Sequence, residues 1–361
     1  MTITIDCRHL NASGIGVYLR ECLPCFLNSP HNFLLLVDDD NRDKLSPITA
    51  GHKNAALIPC NIKPFSIYEL CVIPHGTIKK INQTDLYYSP YFNIPSGLTI
   101  PVYTTIHDII FPDMPELTSK TGLAMRMWFY RRAARLSEKL FTVSQFSKSR
   151  IEHFLGTKTP VTVAYNGVQA YILFGNTSTI KKQYHIFFIG NIKKHKGLGV
   201  LLEAFLQARN EGLNYKLIIV GSKDNFRSMD SEILKRFGHV DSSIVEFTGF
   251  IPNEKLKELL SEAALLVQPS LYEGFGYPPL EAMTLGTKAL ISDIPVLREI
   301  YEGYPVSFFR AGDSVDLKEK LLSLLYNKEP ERIVLPRPLR EKYTFEKTAA
   351  VILRELTGAA P

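Results

Sequence analysis

The stretch ALLVQPSLYEGFGYPPLEAMTLG, residues 264–286, constrains the fold more than any other part of the chain. Ala264–Val267 is an apolar run of strand length. A loop follows from Gln268 to Tyr277, in which Gly274 and Gly276 bracket Phe275. Pro278 and Pro279 suit the first positions of a helix, where a missing N–H is no loss. Glu281 is expected in the first turn of that helix, and Gly286 at its end. Strand, glycine-bearing loop and helix start predict an α/β segment whose backbone N–H groups face an anion. Two carboxylates, Glu273 and Glu281, flank the same place. Carboxylates repel phosphate but accept hydrogen bonds from hydroxyls. A ligand with both a phosphate and a sugar meets both demands, so a nucleotide sugar is expected.

The chain is long enough, at 361 residues, for two domains. Its charged fraction of 22% and hydrophobic fraction of 45% are those of a globular enzyme rather than a disordered or fibrous chain. A net charge of +6 permits an anionic substrate or membrane surface and demands neither. No apolar run has the length of a transmembrane helix. MTITIDCRHL lacks the charged start and long apolar core of a signal peptide, so a cytoplasmic location is expected. The cysteines, at 7, 22, 25, 60 and 71, are odd in number, which argues for reduced thiols. Cys22 and Cys25 have redox-pair spacing, but Cys22 continues the apolar face of a helix, and the pair reads as core.

Strand and helix patterns alternate along the chain. Met1–Ile5 alternates as a strand, and Gly14, Ile15 and Gly16 lead to an amphipathic helix from about Val17. Phe33–Val37 is a strand followed by Asp38, Asp39 and Asp40, which read as a solvated acidic turn with no metal role. Short strands are expected at 55–58 and 85–88, while 64–81 yields no assignment. Val102–Ile106 is a β-branched strand ending in His107 and Asp108, a polar pair where open α/β sheets place ligand chemistry. Residues 121–139 form a basic, aromatic helix. It is suited to an anionic lipid surface, or equally to packing on a sheet with a solvated basic face. Strands at 140–143 and 161–164 complete a first domain, 1–170, and the polar segment 171–183 reads as a linker. A second domain, 184–340, restarts with strand His185–Ile189. Lys193, Lys194 and Lys196 then feed a helix at Leu198, an arrangement suited to a diphosphate. A final amphipathic helix falls within 341–361.

Glu-Gly-Phe-Gly-Tyr-Pro-Pro-Leu-Glu-Ala-Met, residues 273–283, resembles the signature of glycosyltransferase family 4: two Glu around a Gly-Phe-Gly core. Gly14-Ile15-Gly16 is similar to the family's first glycine loop. His107-Asp108 is similar to its His-Asp, and Lys196-Gly197 to its Lys-Gly. Asn191 stands where many members have Arg, and Lys193, Lys194 or His195 is left to supply that charge. The resemblance implies a GT-B architecture of two doubly wound Rossmann-like domains facing a central cleft. The last helix is then expected to return to the N-terminal domain. It implies donor contacts from Gly16, Asn191, Lys196, Glu273, Gly274, Phe275, Gly276 and Glu281. Acceptor-side contacts would come from Gly14, His107 and Asp108, and catalysis would rest on His107, Glu273 and Lys196, with no metal and no cofactor.

The expected activity is retaining transfer of a sugar, mannose or a deoxyhexose favoured, from a nucleotide diphosphate. The acceptor would be a glycan or polyprenyl-linked glycan of a bacterial O-antigen or capsule. The basic helix adds an expectation of peripheral contact with the cytoplasmic face of the inner membrane, and none of nucleic acid. A phosphorylase or sugar epimerase on the same architecture, or a non-catalytic nucleotide-sugar-binding protein, are the alternatives.

Overall fold

The computed structural model describes residues 1–11, 13–64, 66–173, 180–221 and 240–358, with the backbone alone at Ser13, Ile67 and Cys71. Residues 174–179 of the expected linker fall outside the described residues. The chain forms two compact units. Unit 1 comprises Met1–Gly167 with Tyr343–Pro361, and unit 2 comprises Val168–Lys342.

Unit 1 is built on seven strands: β1 (Thr2–Asp6), β2 (Asn32–Val37), β3 (Ala55–Pro59), β4 (Leu86–Ser89), β5 (Val102–Thr105), β6 (Lys139–Thr142) and β7 (Val161–Val163). Their order is β3-β2-β1-β4-β5-β6-β7, and every pair is parallel. Covering helices bury the strands on both faces, which is why β4 reads Leu-Tyr-Tyr-Ser with all four residues inside. Within unit 1 the terminal helix Phe345–Thr357 packs on the first helix, Ser13–Leu27. The returning chain passes so close to Gly167 that a Cβ there would lie 2.2 Å from the Phe345 nitrogen. Thr348 Oγ1 donates to the Tyr165 carbonyl at 2.5 Å.

Unit 2 repeats the plan with β8 (Gln183–Ile189), β9 (Lys216–Val220), β10 (Val245–Gly249), β11 (Ala263–Gln268), β12 (Lys288–Ser292) and β13 (Val306–Phe309). Their order is β10-β9-β8-β11-β12-β13, again parallel throughout. β11 is buried at every residue. Its core partners include Phe188, Leu201, Phe205 and Leu217. In each unit the chain steps outward from its first strand and then crosses to that strand's other side. The crossing makes a topological switch point between β1 and β4 and another between β8 and β11.

Several local expectations are corrected. The first helix begins at Ser13, so Gly14 and Gly16 lie in its first turn and not in a loop before it. Asp38 does not end in a surface loop. It caps the helix Asp39–Thr49, accepting from Asn41 N at 2.8 Å, and Asn41 is buried. The basic helix ends at Leu136, and Lys139 instead opens β6, where it pairs with Glu355 of the terminal helix. The unassigned 64–81 stretch holds two short helices, Ile67–Cys71 and His75–Ile81. β13 has no counterpart in the sequence reading, because a four-residue edge strand carries too short a pattern. Cys7, Cys22, Cys25 and Cys60 are free thiols, and burial raises each of them above the usual range.

Candidate functional site

At the switch point of unit 2, the loop after β8 meets the loop after β11. Leu271 N donates to the His195 carbonyl at 2.7 Å. Gly197 has φ +69°, and a Cβ there would lie 1.9 Å from the Pro269 carbonyl oxygen, so only glycine admits this approach. The contact sets Lys196 against Glu273. Lys196 Nζ lies 2.7 Å from Oε1 and 2.8 Å from Oε2 of that carboxylate. Gln268 Nε2 and Ser270 Oγ each donate to Oε1 at 2.7 Å. Ser292 Oγ, at the end of β12, donates to the Ser270 carbonyl at 2.5 Å and holds that turn in place. Burial alone would raise the Glu273 pKa. The Lys196 charge and the hydrogen bonds from Lys196 and Ser270 outweigh it, and the carboxyl stays below its ordinary range.

Lys196 has three N–H donors and spends two on Glu273, which leaves one for a ligand. Oε2 of Glu273 receives only Lys196 among the described hydrogen bonds and retains capacity for a hydroxyl. Ser270 and Gln268 were missed by sequence reasoning. Their signal was their position, three and five residues before Glu273 at the end of a buried strand.

The helix Tyr277–Thr284 corrects one expectation about anions. Of its first four residues, Pro278 and Pro279 have no N–H, and Leu280 N is taken by the Tyr301 hydroxyl at 3.0 Å. The helix start therefore offers few donors to a phosphate. Glu281 is its fifth residue rather than part of the first turn, and it is buried at 2% exposure. Gln169 Nε2 donates to Glu281 Oε1 at 2.5 Å, another contact that the sequence did not disclose. Gly276 has φ +88° and caps this helix, while Gly286 follows it with φ +82°. Asn191 is half-buried, whereas Lys193 and Lys194 are exposed. Burial, reinforced by Lys196, pushes the His195 pKa down to about 4, so His195 is neutral near pH 7.

Unit 1 carries the other candidates. His107 follows β5, and its Nε2 lies 3.0 Å from the Pro90 carbonyl. A carbonyl only accepts, so Nε2 bears the proton and Nδ1 keeps its lone pair. Its ring meets the Tyr18 ring edge-on at 4.8 Å. Burial, opposed by the Pro90 carbonyl and assisted by His9, takes the His107 pKa to about 4. Asp108 Oδ1 accepts from Ile110 N at 3.2 Å. Gly14 is exposed, whereas Gly16 is packed so that a Cβ would lie 2.4 Å from the Leu10 carbonyl oxygen. Beneath these lies a buried ionic network that the sequence reading did not single out. Arg8 Nη2 reaches Asp6 Oδ2 and Glu69 Oε1, each at 2.5 Å. Tyr87 donates to Asp6 at 2.9 Å, and Asn93 Nδ2 donates to Glu69. The structure thus gathers Asn191, Lys196, Glu273–Gly276 and Glu281, of the residues expected on the donor side, into unit 2, but leaves Gly16, expected with them, in unit 1. Gly14, Gly16, His107 and Asp108 belong to unit 1. Among the described residues no group of three His, Cys, Asp or Glu is arranged to hold a metal ion.

Comparison with known proteins bears on this arrangement. The family model for glycosyl transferases group 1 matches residues 174–335, and that for glycosyltransferase family 4 matches 70–170. The chain is 26% identical over 258 residues to a glycosyltransferase of Methanocaldococcus jannaschii, covering 70% of this chain and 67% of that protein. It is 27% identical over 228 residues to O-antigen chain mannosyltransferase B of Escherichia coli, covering 60% of this chain and 58% of that protein. The matched region is thus 58% to 67% of the length of these two relatives. Among solved structures, Anabaena HepE in complex with UDP and glucose aligns with a TM-score of 0.69 at 18% identity, over 98% of this chain and 95% of that one. That likeness is one of fold, and the fold is GT-B.

Proposed function

We propose, for a chain that belongs to the glycosyltransferases of group 1 and family 4, a retaining transfer of a hexose from a nucleoside diphosphate to a glycan or lipid-linked glycan. The observation that carries this reading is the Lys196–Glu273 pair at the unit 2 switch point. Its carboxylate is fixed by Ser270 and Gln268, and its ammonium keeps one donor in reserve. In this reading the reserve donor of Lys196 meets the diphosphate as the sugar–phosphate bond breaks, stabilising the growing charge without a metal. Oε2 of Glu273 accepts a hydroxyl of the transferred sugar. Glu281 accepts from the ribose hydroxyls. His107, with Nδ1 as acceptor, is suited to take a sugar hydroxyl. The acceptor oxygen bonds to the anomeric carbon on the face that the diphosphate leaves, and the acceptor proton passes to the departing phosphate.

Mannose, or a deoxyhexose, is the favoured sugar, and O-antigen or capsule synthesis the favoured setting. The likeness to an O-antigen mannosyltransferase supports both. Contact with an anionic membrane belongs to the same reading. Met125, Trp128, Arg131 and Arg135 are exposed at helical spacing on the helix Lys120–Leu136. No described helix is long and apolar enough to cross a membrane.

A thermal-shift screen of UDP, GDP, dTDP and ADP with their sugars, followed by transfer assays with EDTA, tests the reading. We expect one nucleotide to stabilise the protein, and transfer to persist in EDTA. Glu273→Ala should abolish transfer and leave affinity for the bare nucleotide intact. A Glu273→Ala protein that transfers at the wild-type rate would sink the proposal.

A further inference from the structure

The strands β1, β4 and β5 are parallel neighbours, so the loops at their carboxyl ends lie side by side. The gap between β1 and β4 is the switch point of unit 1, where an open α/β sheet takes a ligand. Each of these loops brings an aromatic ring to this end of the sheet: His9 after β1, Tyr91 after β4, His107 after β5. The His9 ring lies 4.6 Å from the Tyr91 ring, inclined at 59°.

The two imidazoles differ in one respect. His107 Nε2 is satisfied by the Pro90 carbonyl. His9 Nε2 is buried and has no hydrogen-bond partner. A polar atom in that condition costs stability until something supplies the missing partner. The nature of that partner follows from charge. Burial takes both His9 and His107 down to about 4. For His9 the nearby Asp6 opposes this and Arg8 assists it, and for His107 the neighbour His9 assists it. Two neutral imidazoles attract an anion poorly. His107 has only its Nδ1 lone pair to offer, and His9 Nε2 an N–H or a lone pair according to its tautomer. A hydroxyl, itself both donor and acceptor, can meet either. The Tyr91 ring beside His9 adds an apolar face of the kind on which a sugar ring packs.

We propose that His9 is an acceptor-binding residue, its Nε2 exchanging a hydrogen bond with a hydroxyl of a neutral sugar held at the β1–β4 switch point. The inference rests on the reading of unit 1 as the acceptor side. It adds a residue that neither the Glu loop nor the His-Asp pair would have indicated.

The test uses the full chain labelled with nitrogen-15 at histidine. Imidazole resonances are followed while methyl glycosides of mannose, glucose, galactose and rhamnose, and separately UDP and GDP, are added. We expect His9 to respond to at least one glycoside and to neither nucleotide. His9→Leu should weaken that glycoside about tenfold, and His9→Gln, whose amide places a nitrogen near Nε2, should recover most of the loss. The idea is overturned if His9 is silent to every glycoside at saturating concentration. It is equally overturned if His9 answers the nucleotides instead, or if His9→Leu binds the glycoside as wild type does. Transfer activity reports separately. A His9 response without transfer retires the proposed function and keeps this site. Transfer with an acceptor KM indifferent to His9→Leu does the reverse.

Discussion

The two units place an ion pair near the same point of the same kind of sheet, and the pairs are built for different tasks. In unit 2, Lys196 and Glu273 have side chains 21% and 9% exposed, and each keeps capacity for another partner. In unit 1, Arg8 is fully buried between Asp6 and Glu69, whose side chains are 2% and 0% exposed. Burial alone would raise the Asp6 pKa, and Arg8 outweighs it to hold the carboxyl low. The Arg8 charge is spent on its neighbours: both carboxylates, the Ile62 carbonyl and the Cys60 sulfur. Access rather than charge separates a ligand site from a structural clamp. Unit 1 sets two neutral imidazoles, His9 and His107, at this end of its sheet, whereas unit 2 sets an ion pair there. In the proposed reading that division suits a charged donor in unit 2 and a neutral acceptor in unit 1.

The sharpest way to break this comparison is to delete one cation from each unit. Arg8→Ala strands two buried carboxylates and should cost about 3–5 kcal/mol of stability. Lys196→Ala removes the cation beside a carboxylate that is only 9% exposed, but Ser270 and Gln268 still donate to it. The loss should therefore be smaller than for Arg8→Ala, while nucleotide binding weakens. Denaturant unfolding compares them, and equal losses would erase the distinction. Glu281 offers a smaller contrast within unit 2. Glu281→Ala should weaken bare nucleoside diphosphate by about 1.5–3 kcal/mol, because hydrogen bonds to a charged group are lost. An unchanged dissociation constant by calorimetry would remove Glu281 from the ribose.

The neutrality of the unit 1 imidazoles has a stability signature. His9 and His107 sit near 4 in the folded chain, below the 6.5 of an unconstrained histidine. Between those values the unfolded chain binds more protons, so stability rises with pH there. The contribution is complete above pH 6.5 and is lost as pH falls through about 4. We expect a loss on the order of 1–3 kcal/mol per ring. It should be smaller in His9→Gln, and a variant with the wild-type pH profile would contradict the burial argument. Membrane contact should be the weakest effect, at about 1 kcal/mol for each basic residue near the surface. Flotation with anionic vesicles should show binding at low salt and release at high salt. Absence of binding at both would discard the contact.

Much of this was legible from the chain alone where the signal is local. A buried parallel strand is an apolar run, so β5, β8 and β11 were visible, and the prolines and glycines around 276–286 marked the following helix. Boundaries were less secure. Nothing local distinguishes Gly14 and Gly16 in a loop from the same residues in a first helical turn, and Asp38 reads alike as a turn or as a helix cap. The two glutamates were identified as a pair, but the turn on which Glu281 sits was not.

What the sequence determined, then, was the alternation of strand and helix and the identity of the acids, the lysine and His107. Their types and short-range spacing carry that information. Tertiary structure decided what each of them touches. Lys196 meets Glu273 across 77 positions, Arg8 meets Glu69 across 61, and Gln169 meets Glu281 across 112. Sheet order alone sets His9, Tyr91 and His107 at one end of unit 1. Strand and helix periods repeat over a few residues, whereas such pairings depend on which strands become neighbours. The same histidine is a solvated cation or a neutral hydrogen-bonding group according to what the assembled core packs around it.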